Sequence, residues 1–179
     1  MTTIAIIGAG PLGRWLALAT ARAGYRVFLE DVMPSNLHHA QEYLRQQHGP
    51  PQTDSAHGQV TFVSTVEDAV READLVIDCV PDELESKLEI LWLLDRMAPP
   101  RTVIATPTAA LSIADLAACT YRPEKCIAIA ADPRALSGQT PGSAIRLVTI
   151  ERTAPEAVAC VESFWRRLGF VPTLEQASG

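Results

Sequence analysis

The chain has 179 residues, 47% of them apolar and 20% charged, with a formal net charge of −6 at neutral pH. That composition belongs to a soluble globular protein with room for one sizeable core, so a single domain over residues 1–179, with no second domain, is expected. The acidic balance without basic stripes argues against nucleic acid and anionic membranes as partners, and neither a basic leader nor a bilayer-length apolar run occurs, which predicts a cytoplasmic protein.

Taken in chain order, the apolar run Ile4–Ile7 reads as a buried strand that opens on Gly8-Ala9-Gly10-Pro11-Leu12-Gly13. A helix is predicted over 11–23, closed by Gly24, and a second strand over 26–31 that ends on Asp31. A glycine-rich turn between strand and helix, with an acid at the end of the next strand, is a dinucleotide-binding fingerprint. Gly8 permits the tight turn, Gly10 lets backbone approach a pyrophosphate, and Gly13 lets the helix lie close to the sheet. Phosphates then sit on a helix N-terminus; Pro11 suits the first helical position and Leu12 remains a donor. Asp31 is expected to accept hydrogen bonds from the adenosine ribose and to repel a 2′-phosphate. Val32 and Met33 supply no arginine to reverse that preference, so NAD is expected over NADP.

The alternation continues with a helix at about 35–47, a strand near 60–63 and a short helix near 66–72. Leu75–Val80 reads as a buried parallel strand and 83–97 as a long helix stopped by Pro99-Pro100; the next strand is 102–105. Ser112 starts another helix in the manner of a capping box, Cys126–Ala130 is a sixth strand, and Ala157, Cys160, Val161, Phe164, Trp165 and Leu168 recur at helical spacing before a strand at 170–174. This is the doubly wound α/β pattern of a mostly parallel Rossmann sheet. Ligands bind such sheets outside the carboxyl ends of the strands, so loops 8–13, 31–34, 80–87, 105–112 and 130–144 should line one crevice. Cys79, Cys119, Cys126 and Cys160 are widely spaced in apolar segments and are expected as buried reduced thiols. His38, His39, His48 and His57 have no convincing ligand spacing, so no metal site is expected.

With these loops located, Ile4–Asp31, Ala73–Lys87, Ala105–Ile113 and Arg122–Glu124 together resemble the NAD-binding domain of the 3-hydroxyacyl-CoA dehydrogenases. The order of a "VPxxLExK" and an "ATxTxxLSI" segment carries the resemblance. It implies NAD(H) as cofactor, a small acyl or hydroxy acid as further ligand, and Val80, Asp82, Lys87 and Pro107 beside the cofactor. Lys87 would sit near ribose or phosphate, the alternative being a solvated helix charge.

The departures from that family pattern are equally specific. Pro107 and Ala109 replace the asparagine and first serine of "ATNTSSLSI". Ala130 falls at the catalytic histidine of "GLHFFNP", and Thr149 at the glutamate of "KLVEV". Asp132 is the one carboxylate near the position of the missing base, the alternative being a turn or cap before Pro133. Part of the acyl-CoA platform is expected to be missing, because residues 49–54 read as a loop and not a second helix. The chain stops at Gly179, where the family continues into an all-helical domain. Three functions follow: an NAD-binding protein that is non-catalytic or repurposed; an active oxidoreductase in which Asp132, Thr106, Thr108 or a partner chain substitutes; or a scaffold subunit. The surplus of apolar positions between Leu84 and Met97 predicts a homodimer or a hetero-partner.

Overall fold

The computed structural model describes residues 2–48 and 58–177. The expected loop at 49–54, His57, the His48 side chain and Gly179 lie outside the described residues. Eight strands form one sheet in the order β3-β2-β1-β4-β5-β6-β7-β8. They are β1 (Thr3–Ile7), β2 (Arg26–Glu30), β3 (Val60–Val63), β4 (Leu75–Asp78), β5 (Val103–Thr108), β6 (Cys126–Ala130), β7 (Ala144–Thr149) and β8 (Val171–Gln176). All neighbours are parallel except β6 and β7. The helices are α1 (Pro11–Arg22), α2 (Pro34–His48), α3 (Val66–Val70), α4 (Leu84–Met97), α5 (Ile113–Ala118), α6 (Pro133–Leu136) and α7 (Pro155–Arg167).

The period of two along each strand sorts the core into two layers. Ile4 and Ile6 of β1 join Leu16, Val161, Phe164 and Trp165 on the face covered by α1 and α7. Ala5 and Ile7 join Val76, Leu91, Leu94, Ile104 and Leu116 on the face covered by α3, α4 and α5. Both faces of the central strands are therefore dry, which explains why they read as unbroken apolar runs.

Two prolines show how the sheet tolerates a residue without an N–H. Pro107 lies inside β5, which runs through Thr108 and so is longer than the predicted 102–105. Val103 donates to the Asp74 carbonyl, so by alternation the missing donor of Pro107 faces β4 only where β4 ends. On the edge strand β8, Val171 and Ala177 donate inward to Ser143 and Thr149. Pro172 thus removes one of the outward donors and blunts the open edge.

Candidate functional site

The carboxyl ends of β1, β2, β4, β5 and β6 share one edge of the sheet, and three hydrogen bonds tie their loops together. Ala9 N–H donates to Asp31 Oδ2 at 2.9 Å, Ala109 N–H to Asp82 Oδ2 at 2.8 Å, and Ala131 N–H to the Thr108 carbonyl at 3.2 Å. The chain reverses its winding direction between β1 and β4, and there Gly8 packs on the backbone of Cys79.

The glycines of the turn carry the geometry their spacing implies. Gly8 has φ +100°, a left-handed value natural to glycine, and a Cβ there would lie 3.1 Å from the Cys79 carbonyl oxygen. A Cβ on Gly13 would fall 1.8 Å from the Gly8 carbonyl oxygen, an overlap that only glycine avoids. A Cβ on Gly10 would meet nothing within 4 Å, so the backbone there faces open space. Gly10 caps α1 without a side chain, Pro11 follows it, and no acid occupies the first turn. Leu12 is buried beneath the turn. These features fit a dinucleotide phosphate: donors free, dipole unopposed and no side chain in the approach.

Asp31 is 8% exposed and already accepts three protein hydrogen bonds, from Ala9 N–H, Met33 N–H and Asn36 Nδ2. A carboxylate offers about four acceptor positions, so capacity remains on the Oδ1 side. Val32 and Met33, 75% and 54% exposed, present bare apolar surface beside it. Burial, and then the Asp31 charge, push the neighbouring Glu30 carboxyl up to about 7.

Lys87 corrects the sequence expectation. It is neither a solvated helix charge nor a cation facing the crevice: its side chain is fully buried and Nζ donates to Asp78 Oδ1 at 2.5 Å. Burial raises the Asp78 carboxyl, and the Lys87 ammonium pulls it back. Asp78 Oδ2 and Thr106 Oγ1 are buried beside each other without a partner in good hydrogen-bond geometry. The signal was present in sequence: an acid inside the run Leu75–Val80 needs a buried partner, and the crossover helix returns Lys87 above it.

On the far half of the crevice Val80 is half-buried and Pro107 buried, while Asp82 spends one oxygen on the Ala109 amide. Asp132 is exposed and caps α6, Oδ1 accepting from Arg134 N–H at 2.8 Å. This is the cap before Pro133 given above as the alternative for Asp132; the short helix that it starts lies within what reads in sequence as the loop 130–144. Ala130 and Thr149 are not neighbours either. β6 and β7 set Ala128 against Val148 and Ile129 against Leu147. Continuing that register puts Arg146 level with Ala130 and turns Thr149 to the alternate face. The segment between the two strands, α6 and residues 137–143, accompanies that register.

The remaining site candidates lie elsewhere. His38 and His39 are exposed on α2, and among the described residues no group of three or more metal-ligating side chains occurs. All four cysteines are free; Cys119, expected to be buried, is exposed at the end of α5. Burial pushes the Cys126 thiol up to about 11 and the Cys79 thiol higher still. A shallow cavity of about 570 Å³, lined by Ala118, Tyr121, Pro123 and Arg152 among others, opens at the amino edge of the sheet, away from the crevice. Among the described residues no helix is long and apolar enough to cross a membrane.

The family model of the 3-hydroxyacyl-CoA dehydrogenase NAD-binding domain matches residues 3–176. The chain belongs to that family. NAD is the cofactor of this domain. A 5-formyl-3-hydroxy-2-methylpyridine 4-carboxylate 5-dehydrogenase of Mesorhizobium japonicum is 29% identical over 96% of this chain and 56% of its own length. An L-carnitine dehydrogenase of Burkholderia mallei is 33% identical over 95% and 53%. The crystal structure of a 5-formyl-3-hydroxy-2-methylpyridine 4-carboxylic acid 5-dehydrogenase, described as an NAD+ dependent dismutase, superposes with a TM-score of 0.82 at 28% identity. It is matched over 99% of this chain and 59% of that one. The chain spans about half the length of the curated relatives it matches.

Proposed function

We propose that this domain keeps the NAD(H) grip of its family and has lost the family's acid/base chemistry, so that it is non-catalytic or repurposed. When bound, the nicotinamide supplies a hydride acceptor or donor. Gly8, Gly10, Leu12 and Gly13 would hold the pyrophosphate with backbone groups and Asp31 the adenosine ribose, while Val80, Asp82 and Pro107 line the nicotinamide half. Asp31 then disfavours a 2′-phosphate by charge repulsion, giving NAD preference over NADP.

The observation that carries the reading is what stands where a proton must be handled. Alcohol oxidation needs a base within about 3 Å of the hydroxyl. The family positions hold the methyl groups of Ala109 and Ala130, Thr149 turns to the other face of the sheet, and the Asp132 carboxylate is engaged as a helix cap. Thr106 and Thr108 are both buried, and a threonine hydroxyl brings no basic group to the crevice.

A second reading, an oxidoreductase acting on a small acid, draws support from the two relatives above, neither of which is named for a CoA thioester. Calorimetric titration with NAD, NADH and NADP, paired with NADH formation on 3-hydroxyacyl thioesters and small 3-hydroxy acids, separates the readings. We expect NAD and NADH to bind, NADP more weakly, and Asp31→Ala to weaken NAD by about tenfold to a hundredfold, the worth of a hydrogen bond to a charged group. Absence of dinucleotide binding at millimolar concentration refutes the first half of the proposal. Sustained turnover abolished by Asp31→Ala refutes the second half and promotes the oxidoreductase.

A further inference from the structure

Asp31 has few places left to offer a ligand, and its neighbours decide how many. Met33 N–H donates to Oδ1 at 2.8 Å. Oδ2 accepts from Ala9 N–H at 2.9 Å and from Asn36 Nδ2 at 3.0 Å. Each carboxylate oxygen takes about two hydrogen bonds, so Oδ2 is saturated and Oδ1 keeps one position. The residue is 8% exposed, which leaves the carboxylate little room to turn and exchange its oxygens.

The two oxygens therefore do different work. Oδ2 is spent inside the protein, where it joins the glycine turn, through Ala9, to the first turn of α2, through Asn36. Oδ1 alone can accept from a ligand. An adenosine ribose carries adjacent 2′- and 3′-hydroxyls, and holding both on one carboxylate needs a vacant position on each oxygen. Asn36 closes the second of these. Ala9 and Met33 donate from backbone that the glycine turn and the start of α2 fix, whatever side chains they carry. Asn36 is the one side-chain donor to Asp31 among the described residues. It is half-buried, one turn before the buried Ala40, and its own N–H bonds the Met33 carbonyl at 3.0 Å. A carboxylate only accepts, so the amide turns Nδ2 toward Oδ2 and occupies the position that a second hydroxyl would take.

We propose that Asn36 is a positioning residue of the dinucleotide site, one that closes Asp31 Oδ2 and limits the carboxylate to a single adenosine-ribose hydroxyl at Oδ1. The inference deepens the NAD reading above and rests on it. Asn36 acts through Asp31 and needs no contact with the ligand.

Calorimetric titration of the full chain with NAD, and with the two NAD analogues that lack the 2′- or the 3′-hydroxyl of the adenosine ribose, tests this. One analogue is expected to bind within about threefold of NAD and the other about tenfold to a hundredfold more weakly, the worth of one hydrogen bond to a charged group. Asn36→Ala opens the second position, so in that variant the tolerated analogue is expected to fall at least about fivefold below NAD. A purely structural role for Asn36 would scale all three affinities together and leave their ratios unchanged. In the parent chain, a loss with both analogues or with neither overturns the proposal, whatever the variant does. Ratios unchanged by Asn36→Ala overturn it as well, and in each of these cases NAD binding itself stands. Failure of NAD to bind the parent at millimolar concentration overturns the dinucleotide reading and this inference with it.

Discussion

Replacing Lys87 by methionine removes the cation that is paired with Asp78 at the floor of the crevice. Both side chains are fully buried, and the ion pair is 2.5 Å long. Methionine keeps the volume of the lysine stem but leaves a carboxylate in a dry environment, with Oδ2 already lacking a partner. Breaking a buried pair from one side costs about 3–5 kcal/mol, far more than the net worth of the intact pair. For a chain of this size that lowers the melting temperature by about 10 °C.

The pH dependence distinguishes this account from loss of packing. Burial already raises the Asp78 carboxyl above its ordinary range, against the pull of Lys87. Without that pull it rises further, and a group whose folded pKa exceeds its unfolded value gives stability that is present at low pH and lost as pH climbs through the folded pKa. The penalty of Lys87→Met should therefore shrink between pH 8 and pH 5. Urea unfolding at both pH values, for Lys87→Met, Asp78→Leu and the double variant, measures it. We expect the double variant to lie closer to the parent than either single, because two apolar groups can replace a buried pair at little cost. A Lys87→Met penalty under 1 kcal/mol, or one that is the same at both pH values, refutes the reasoning.

Gly13→Ala should disrupt the glycine turn, since the new methyl would lie 1.8 Å from the Gly8 carbonyl oxygen; thermal unfolding should show about 2–4 kcal/mol of destabilisation, as for other overpacked sites. Glu30→Gln should stabilise the protein at pH 8 and have little effect at pH 4. The folded carboxyl titrates at about 7, so its contribution is intact below the unfolded value and lost as pH rises toward 7. The gain should be about 1–2 kcal/mol after allowance for partial hydration, and an equal effect at both pH values would contradict it.

Most of the fold was readable because both of its periodicities are strong in this chain. The central strands are apolar on both sides, and α7 repeats cleanly at Ala157, Val161, Phe164 and Trp165. What escaped was information that needs a partner from elsewhere. The strand reads in sequence as ending at 105, short of Pro107, and a proline does usually break a central strand; only the sheet order shows that its missing donor faces the end of β4. Lys87 looked like a neighbour of ribose or phosphate because four residues of helix do not reveal which face a crossover turns inward. How Ala130 and Thr149 face each other was not legible in the motifs, because the ladder register depends on the intervening α6 and residues 137–143.

Under the proposed function, that contrast separates the two halves of the crevice by what encodes them. The phosphate half is written in backbone: a left-handed glycine, a glycine that admits a helix at van der Waals contact, and an uncapped helix start. Each is also a requirement of the β1–α1 packing, so a substitution at Gly8 or Gly13 that harmed the phosphate cradle would harm the fold as well. The opposite half is written in side chains at Ala109 and Ala130, positions where alanine suits strand and loop as well as serine or histidine does. Folding therefore holds the dinucleotide cradle in place and exerts no comparable restraint on proton-handling groups. Under the proposed function the domain can shed alcohol oxidation by a few substitutions while its architecture stays intact. The converse follows too: restoring a histidine at Ala130 alone should not restore chemistry, because the register places Arg146, and no carboxylate, level with it.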